Sequence, residues 1–287
     1  MKLKEVSKEE LYRCSYGCAG CASVLALRLT LKVLGENSVF VVPAGCISTV
    51  SAYYPQAPFF VPMTVMAFAA TAAALSGISA GFKRRGREDI HVVGFAGDGG
   101  TADIGIQALS GAIDCGYKFI YICYDNEAYM NTGIQRSGLT PYGATTTTTP
   151  GRCFENRPKK DMLRIVADHG IPYAATACIS YPLDFMRKVE KASKINGPTY
   201  IQVLVPCPTG WGFAPDRAIE LGRMAVESGM WNLLEFENGE FHTTYTPRHK
   251  RPVAEYFEAQ TRFRQLSPEQ VEAIQREIDS RGAPGSS

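Results

Sequence analysis

The 287-residue sequence predicts an α/β fold, a parallel sheet flanked by helices, with a C-terminal appendage. Three observations predict it. Residues 91–95, 119–123 and 199–205 are short apolar runs, partly β-branched, of the length and composition of buried strands. Between the first two, Ile104, Ala108, Leu109, Ala112 and Ile113 recur on one helical face. Turn-forming residues follow the strands, as in Gly97-Asp98-Gly99-Gly100, Asp125-Asn126 and Pro206-Cys207-Pro208. Strand, glycine turn, helix and strand make a βαβ crossover, and the carboxyl edge of such a sheet is where ligands bind.

The remaining elements follow in order. Residues 1–12 are charged and carry no apolar core of a secretory signal, so a cytoplasmic location is expected. Residues 24–34 read as a helix and 39–42 as a first strand ending at Gly45. Residues 47–62 read as irregular; their aromatics, Tyr53, Tyr54 and Phe59 among them, either wall a substrate pocket or simply pack. Residues 59–82 are nearly uncharged, but Pro62 and the many Ala, Gly, Ser and Thr point to a fully buried helix rather than a membrane span. Residues 133–157, with five threonines from Thr145, form a long loop that is either functional or a solvated excursion. The basic stretch Arg157-Pro158-Lys159-Lys160 reads as a solvated approach to a helix over 161–169. A strand at 173–178 and a helix at 182–193 continue the alternation. Beyond Asp216 come a helix to 227, a hairpin over 233–245 turning at Asn238-Gly239, and a polar helix over 265–278 started by Ser267 and Pro268. We therefore divide the chain into a ligand-binding α/β domain, 1–215, and an extension, 216–287, for packing or subunit contact. A net charge of +2 argues against nucleic acid or an anionic membrane as partner.

Asp98 and Asn126 both fall just past strand ends. A hard cation such as Mg²⁺ takes about six oxygens in an octahedron. Asp98 offers a carboxylate, Asn126 an amide oxygen and Ala128 a backbone carbonyl; Gly97, Gly99 and Gly100 let a diphosphate come close to the main chain. The pattern resembles the thiamin diphosphate motif, with Asp125-Asn126 where that motif has Asn-Asn. A plain surface turn with an unrelated Asn would use the same residues.

Nine cysteines without a secretion signal argue against a disulfide framework. Cys14, Cys18 and Cys21 bunch near the start, and Cys46 and Cys207 stand alone in Gly- and Pro-rich turns. Cys115, Cys123 and Cys178 sit in apolar or helical context, and Cys153 in a loop. A Cys-x-x-Cys pair plus two single cysteines fits an iron–sulfur cluster, while zinc or a redox-active dithiol remain open; Cys14 could replace one ligand.

Together these segments resemble the thiamin diphosphate-binding β subunit of the 2-oxoacid:ferredoxin oxidoreductases, above all the pyruvate enzymes. The resemblance runs over about residues 10–245, through Cys18-Ala19-Gly20-Cys21, Gly45-Cys46, residues 97–105, residues 124–133 and Pro206-Cys207-Pro208-Thr209-Gly210-Trp211. It implies a [4Fe–4S] cluster on Cys18, Cys21, Cys46 and Cys207, and Mg²⁺ on Asp98, Asn126 and the Ala128 carbonyl. It also implies that Asn131 lies near the reacting thiazolium, with Gly45, Cys46 and Thr132 against the cofactor. The implied reaction is oxidative cleavage of a 2-oxoacid, with electrons passing to ferredoxin and an acyl group usually to coenzyme A. The implied partners are α, γ and δ subunits, one of which supplies the activating glutamate. Ile47-Ser48-Thr49 follows Cys46 where pyruvate enzymes carry an acidic residue, which leaves 2-oxoisovalerate or oxalate open as substrate. A non-redox thiamin decarboxylase or synthase subunit is the alternative of another class.

Overall fold

A computed structural model describes residues 10–13, 16–51 and 58–280. In chain order the elements are α1 Ala22–Leu34, β1 Ser38–Pro43, α2 Cys46–Ser51, β2 Met63–Met66, α3 Thr71–Arg84, β3 His91–Gly97, α4 Asp98–Ala102, α5 Ile106–Asp114 and β4 Phe119–Asp125. After a long connection come α6 Met162–Asp168, β5 Tyr173–Cys178, α7 Pro182–Lys194, β6 Pro198–Leu204 and α8 Pro208–Trp211. The chain closes with α9 Ala218–Glu227, β7 Leu233–Glu237, β8 Glu240–Tyr245, α10 Val253–Glu258 and α11 Pro268–Ser280.

The eight strands form one sheet in the order β2-β1-β3-β4-β6-β5-β7-β8. The first six are parallel, and β7 and β8 add an antiparallel edge. The central strands are buried along their whole length: β4 and β6 expose no residue, as expected for a sheet covered on both faces. One face packs through Phe40, Phe95, Ile122 and Val203 against α1 and α7. The other packs through Val92, Tyr121 and Ala174 against α3, α5 and α6. A third apolar cluster, around Trp211, Leu221, Tyr256 and Phe263, joins the C-terminal helices to the end of the sheet.

Chain direction reverses between β1 and β3. From β1 the chain moves outward to β2, whereas from β3 it moves the other way to β4. Neighbouring strands whose exits diverge leave a crevice at their carboxyl ends. Gly45-Cys46 follows β1 and Gly97-Asp98 follows β3, so both turns border that crevice.

Several expectations are corrected. Residues 59–82 are not one buried helix. Pro62 is followed by Thr64 and Val65, which form the edge strand β2, and α3 begins only at Thr71 and buries one side, Ala72, Leu75 and Ser79 included. Ile104 leaves the helical face, with half of its surface exposed, because the helix breaks after Ala102 and restarts at Ile106. The stretch after Cys46 is a helix, α2, not irregular. Helix α10 was not anticipated. Tyr53, Tyr54, Pro55 and Cys14 lie outside the described residues. Other local signals match the structure. Asn238 and Gly239 both have positive φ, 54° and 83°, as a two-residue hairpin turn requires. Ser267 and Gln270 bond each other's backbone N–H, 2.9 and 3.3 Å, a reciprocal cap on α11. Among the described residues no helix is long and apolar enough to cross a membrane.

Candidate active site

The crevice between β1 and β3 holds a cleft of about 170 Å³. Its walls are Gly45 and Cys46 after β1, Gly97 to Gly100 after β3, and Asn126 with residues 128–132 after β4. Gly99 lies under the Tyr129 ring; a Cβ there would come within 2.4 Å of it. That space is filled by the ring, so only glycine lets Tyr129 pack against the main chain at this turn. Tyr129 is fixed in turn by donating to Asp103 Oδ2 (2.9 Å), which also accepts from Gly138 N (2.9 Å). Asn131 and Thr132 line the mouth and are exposed.

Asp98, Asn126 and Ala128 meet at the floor, all nearly fully buried. In one orientation the Asn126 amide donates to the Ala128 carbonyl oxygen (2.9 Å) and to Asp98 Oδ1 (3.1 Å). In the other, three oxygens converge with no proton among them. Octahedral Mg²⁺ has ligands at about 2.0–2.1 Å, which sets neighbouring oxygens roughly 2.9 Å apart. The donor set suits Mg²⁺, and the two spacings from Asn126 are those of neighbouring ligands in an octahedron. Burial pushes the Asp98 carboxyl well above the usual carboxylate range, and the nearby Asp125 adds to this. Ser137 donates a hydrogen bond to Asp98 Oδ2. Thr140 donates to the Glu127 carbonyl (2.7 Å) and accepts from Ser137 N (2.9 Å). The 133–157 loop is therefore packed into the site at Ser137 and Thr140.

Beneath the floor lies a buried charge cluster. Lys159 Nζ is 2.7 Å from both Asp125 Oδ2 and Glu127 Oε1. Arg262 Nη2 is 2.6 Å from Glu127 Oε2, and Gln202 donates to Asp125 Oδ2 (2.7 Å). Lys159 is not the solvated cation its sequence context suggests: its side chain is 20% exposed, and two carboxylates hold it charged. Glu127 sits at φ 65°, a left-handed conformation uncommon for a non-glycine residue. Its pairing with Lys159 and Arg262 keeps its carboxyl below the usual range despite burial.

Of the four expected sulfur residues Cys46 lines the cleft, and Cys207, Cys21 and Cys18 lie close enough to bear on its ionisation. Burial raises Cys46 to about 12, and the neighbouring Cys207, Cys21, Asp98 and Cys18 contribute in that order. Cys207 is raised to about 11 by burial first, with Cys21 and Cys18 adding, while the N–H of Gly210 opposes by donating to its sulfur (3.4 Å). Burial disfavours ionisation of Cys21, Cys46 and Cys207, which need a cationic centre to become thiolates together. Among the described residues no three His, Cys, Asp or Glu side chains are drawn close enough to hold a single metal ion.

Residues 43–203, more than half of the chain, match the domain family described as thiamine pyrophosphate enzyme, C-terminal TPP binding domain. Pyruvate synthase subunit PorB of Methanothermobacter thermautotrophicus is 56% identical over 267 residues, covering 92% of this chain and 93% of that protein. The chain belongs to the β subunits of the 2-oxoacid:ferredoxin oxidoreductases. Within this family, PorB of Methanocaldococcus jannaschii is 51% identical, with 98% of each chain covered. Ketoisovalerate oxidoreductase subunit VorB of Pyrococcus horikoshii is 47% identical, covering 94% of this chain and 90% of that one. The solved 2-oxoglutarate:ferredoxin oxidoreductase from Magnetococcus marinus superimposes with a TM-score of 0.59 over 96% of each chain; at 18% identity the likeness speaks to the fold. For this β subunit, the sequence patterns point to Asp98, Asn126 and the cysteines. They do not point to Lys159, Ser137 or Arg262, which reach the floor from remote segments and carry no local signal.

Proposed function

We propose that this chain binds thiamin diphosphate through Mg²⁺ held by Asp98, Asn126 and the Ala128 carbonyl, beside a [4Fe–4S] cluster on Cys18, Cys21, Cys46 and Cys207. The complex would oxidatively cleave a 2-oxoacid, pyruvate foremost, pass electrons to ferredoxin and form acyl-CoA and CO₂. The observation that carries this reading is proximity: three oxygens converge on the floor of the crevice, Cys46 lines its wall, and Cys207, Cys21 and Cys18 lie near enough to Cys46 to act on its ionisation. The thiamin ring would supply the electron sink for decarboxylation, and the cluster one-electron acceptance. The chain's own residues hold and orient. Asp98 neutralises part of the metal charge, with Ser137 fixing its second oxygen. Gly97, Gly99 and Gly100 admit the diphosphate, Gly45 and Cys46 form the wall, and Asn131 and Thr132 face the reacting end.

Glu127 is bound to Lys159 and Arg262 and is not free to serve the aminopyrimidine. This supports a hetero-oligomer in which an α subunit, with γ and δ subunits, completes the site. A reducing cytoplasm suits such a cluster. Residues 216–287 would then serve packing and subunit contact. Substrate choice has a second reading, 2-oxoisovalerate, favoured by the VorB relative. After Cys46, Ile47 is fully buried and Ser48 accepts from Gly45 N (2.9 Å), so neither presents a charge to the cleft.

The test is viologen or ferredoxin reduction by the anaerobically purified complex, with pyruvate, 2-oxoisovalerate, 2-oxoglutarate and oxalate, each with and without coenzyme A. Iron and sulfide are measured on the same sample. Coenzyme A-dependent reduction with pyruvate is expected. Activity on oxalate alone would overturn the substrate assignment. Thiamin-dependent turnover without iron would favour the non-redox alternative.

A further inference from the structure

The two halves of the rim are tied together mechanically. Helix α8 starts just after Cys207, and Trp211 N donates to the Cys207 carbonyl (2.9 Å). The fully buried Trp211 indole Nε1 donates to the Asn126 carbonyl oxygen (2.8 Å). Arg262 lies over the Trp211 ring, 3.8 Å from its centroid, and pairs with Glu127, the residue after Asn126. Met130 presses on Gly210, where a Cβ would come within 2.2 Å of its sulfur. The segment from Asn126 to Met130 is thus gripped at two points by the loop that begins at Cys207 and at a third by Arg262, which stacks on that loop's Trp211.

We infer that Trp211 and Arg262 are positioning residues that couple the two cofactor sites, so that filling the cysteine site tightens Mg²⁺–thiamin diphosphate binding and the reverse. The inference rests on the cofactor assignment above and adds a linkage to it. A cluster on Cys207 fixes the start of α8 and hence the indole that holds the Asn126 backbone. With the thiols unliganded, Cys207 loses that anchor and the carbonyl side of the metal loop loosens. Linkage makes the effect reciprocal: each ligand raises the other's affinity by one factor. That factor should be roughly 5-fold, the scale of one intramolecular hydrogen bond.

The experiment uses the assembled anaerobic complex, cluster-loaded and after oxidative chelation of its iron. Binding of thiamin diphosphate with Mg²⁺ is followed by calorimetry, and iron release to a chelator is timed with and without the diphosphate. We expect about 5-fold weaker binding in the stripped enzyme and slower iron release when the diphosphate is present. Trp211→Phe should keep the cluster's visible absorbance, bind the diphosphate more weakly, and show nearly equal affinity loaded and stripped. Arg262→Lys, which keeps the charge on Glu127 but not the planar stack, should retain an intermediate ratio. Equal affinities in the unmutated enzyme, or a full ratio in Trp211→Phe, would overturn the coupling while leaving the cofactor assignment standing. Absence of iron, or of any diphosphate binding, would overturn both. If Trp211→Phe does not assemble, the ratio in the unmutated enzyme decides.

Discussion

Replacing Lys159 with Met tests the buried charge cluster beneath Asp98 and Asn126. The ammonium pairs with two buried carboxylates, Asp125 and Glu127, both at 2.7 Å. Met fills similar volume without charge. Glu127 keeps Arg262 as a partner at 2.6 Å, but Asp125 keeps only neutral donors, Gln202 and the Glu127 N–H (3.0 Å). Removing one partner of a buried pair costs about 3–5 kcal/mol, because the remaining charge stays buried. A domain of this size loses about 2–4 °C of Tm per kcal/mol, so the expected drop is roughly 6–20 °C. Thermal unfolding of the purified chain by circular dichroism reads it directly. Adding Asp125→Asn to Lys159→Met should recover a large part, since the stranded charge goes with it. A drop below about 2 °C, or no recovery in the double variant, would refute the view that Lys159 balances charge in the interior.

Three further predictions concern the floor and the sheet. Asp98→Asn should leave the fold intact, because burial already disfavours the charged carboxylate. It should weaken Mg²⁺-dependent thiamin diphosphate binding by about 100-fold or more, measured by calorimetry. Ser137→Ala removes the hydroxyl that orients Asp98 and should weaken Mg²⁺ affinity by roughly 10–100-fold with little change in Tm. At the start of β3, His91 has its Nδ1 buried without a partner among the described residues, and burial holds its pKa below 6.5. The unfolded chain therefore binds this proton more readily, so stability is lost as pH falls from about 6.5 toward the folded value. His91→Asn should show a shallower decline in Tm over that acid range, and an unchanged slope would exclude His91 as its source.

What was legible in the sequence was local. The glycine turn after β3, the Asn238-Gly239 hairpin and the Ser267 cap each rest on residues within a few positions of one another. Asp98 and Asn126 could be paired because a βαβ unit must bring successive strand ends to one edge. The site's supporting residues depend instead on tertiary packing. Lys159 lies in a basic run indistinguishable from a solvated one, and only the fold sets it between two acids. Arg262 crosses over from the C-terminal segment, and Ser137 from a threonine-rich loop whose docking no pattern signals. The stretch around Pro62 failed for another reason. Low charge marks burial without choosing between helix and edge strand, and β2 is too short for alternation to decide.

Arg262 has a consequence for how the protein is made. During synthesis Asp125 and Glu127 emerge first, Lys159 follows, and the second cation arrives only when the ribosome has nearly finished. Between residues 159 and 262 the emerging chain carries both acids and only one of their two cations. Any product ending before Arg262 would fold, if at all, around an acid with half of its counter-charge missing. Truncation ahead of Arg262 should therefore lower the yield of folded chain, which limited proteolysis would read.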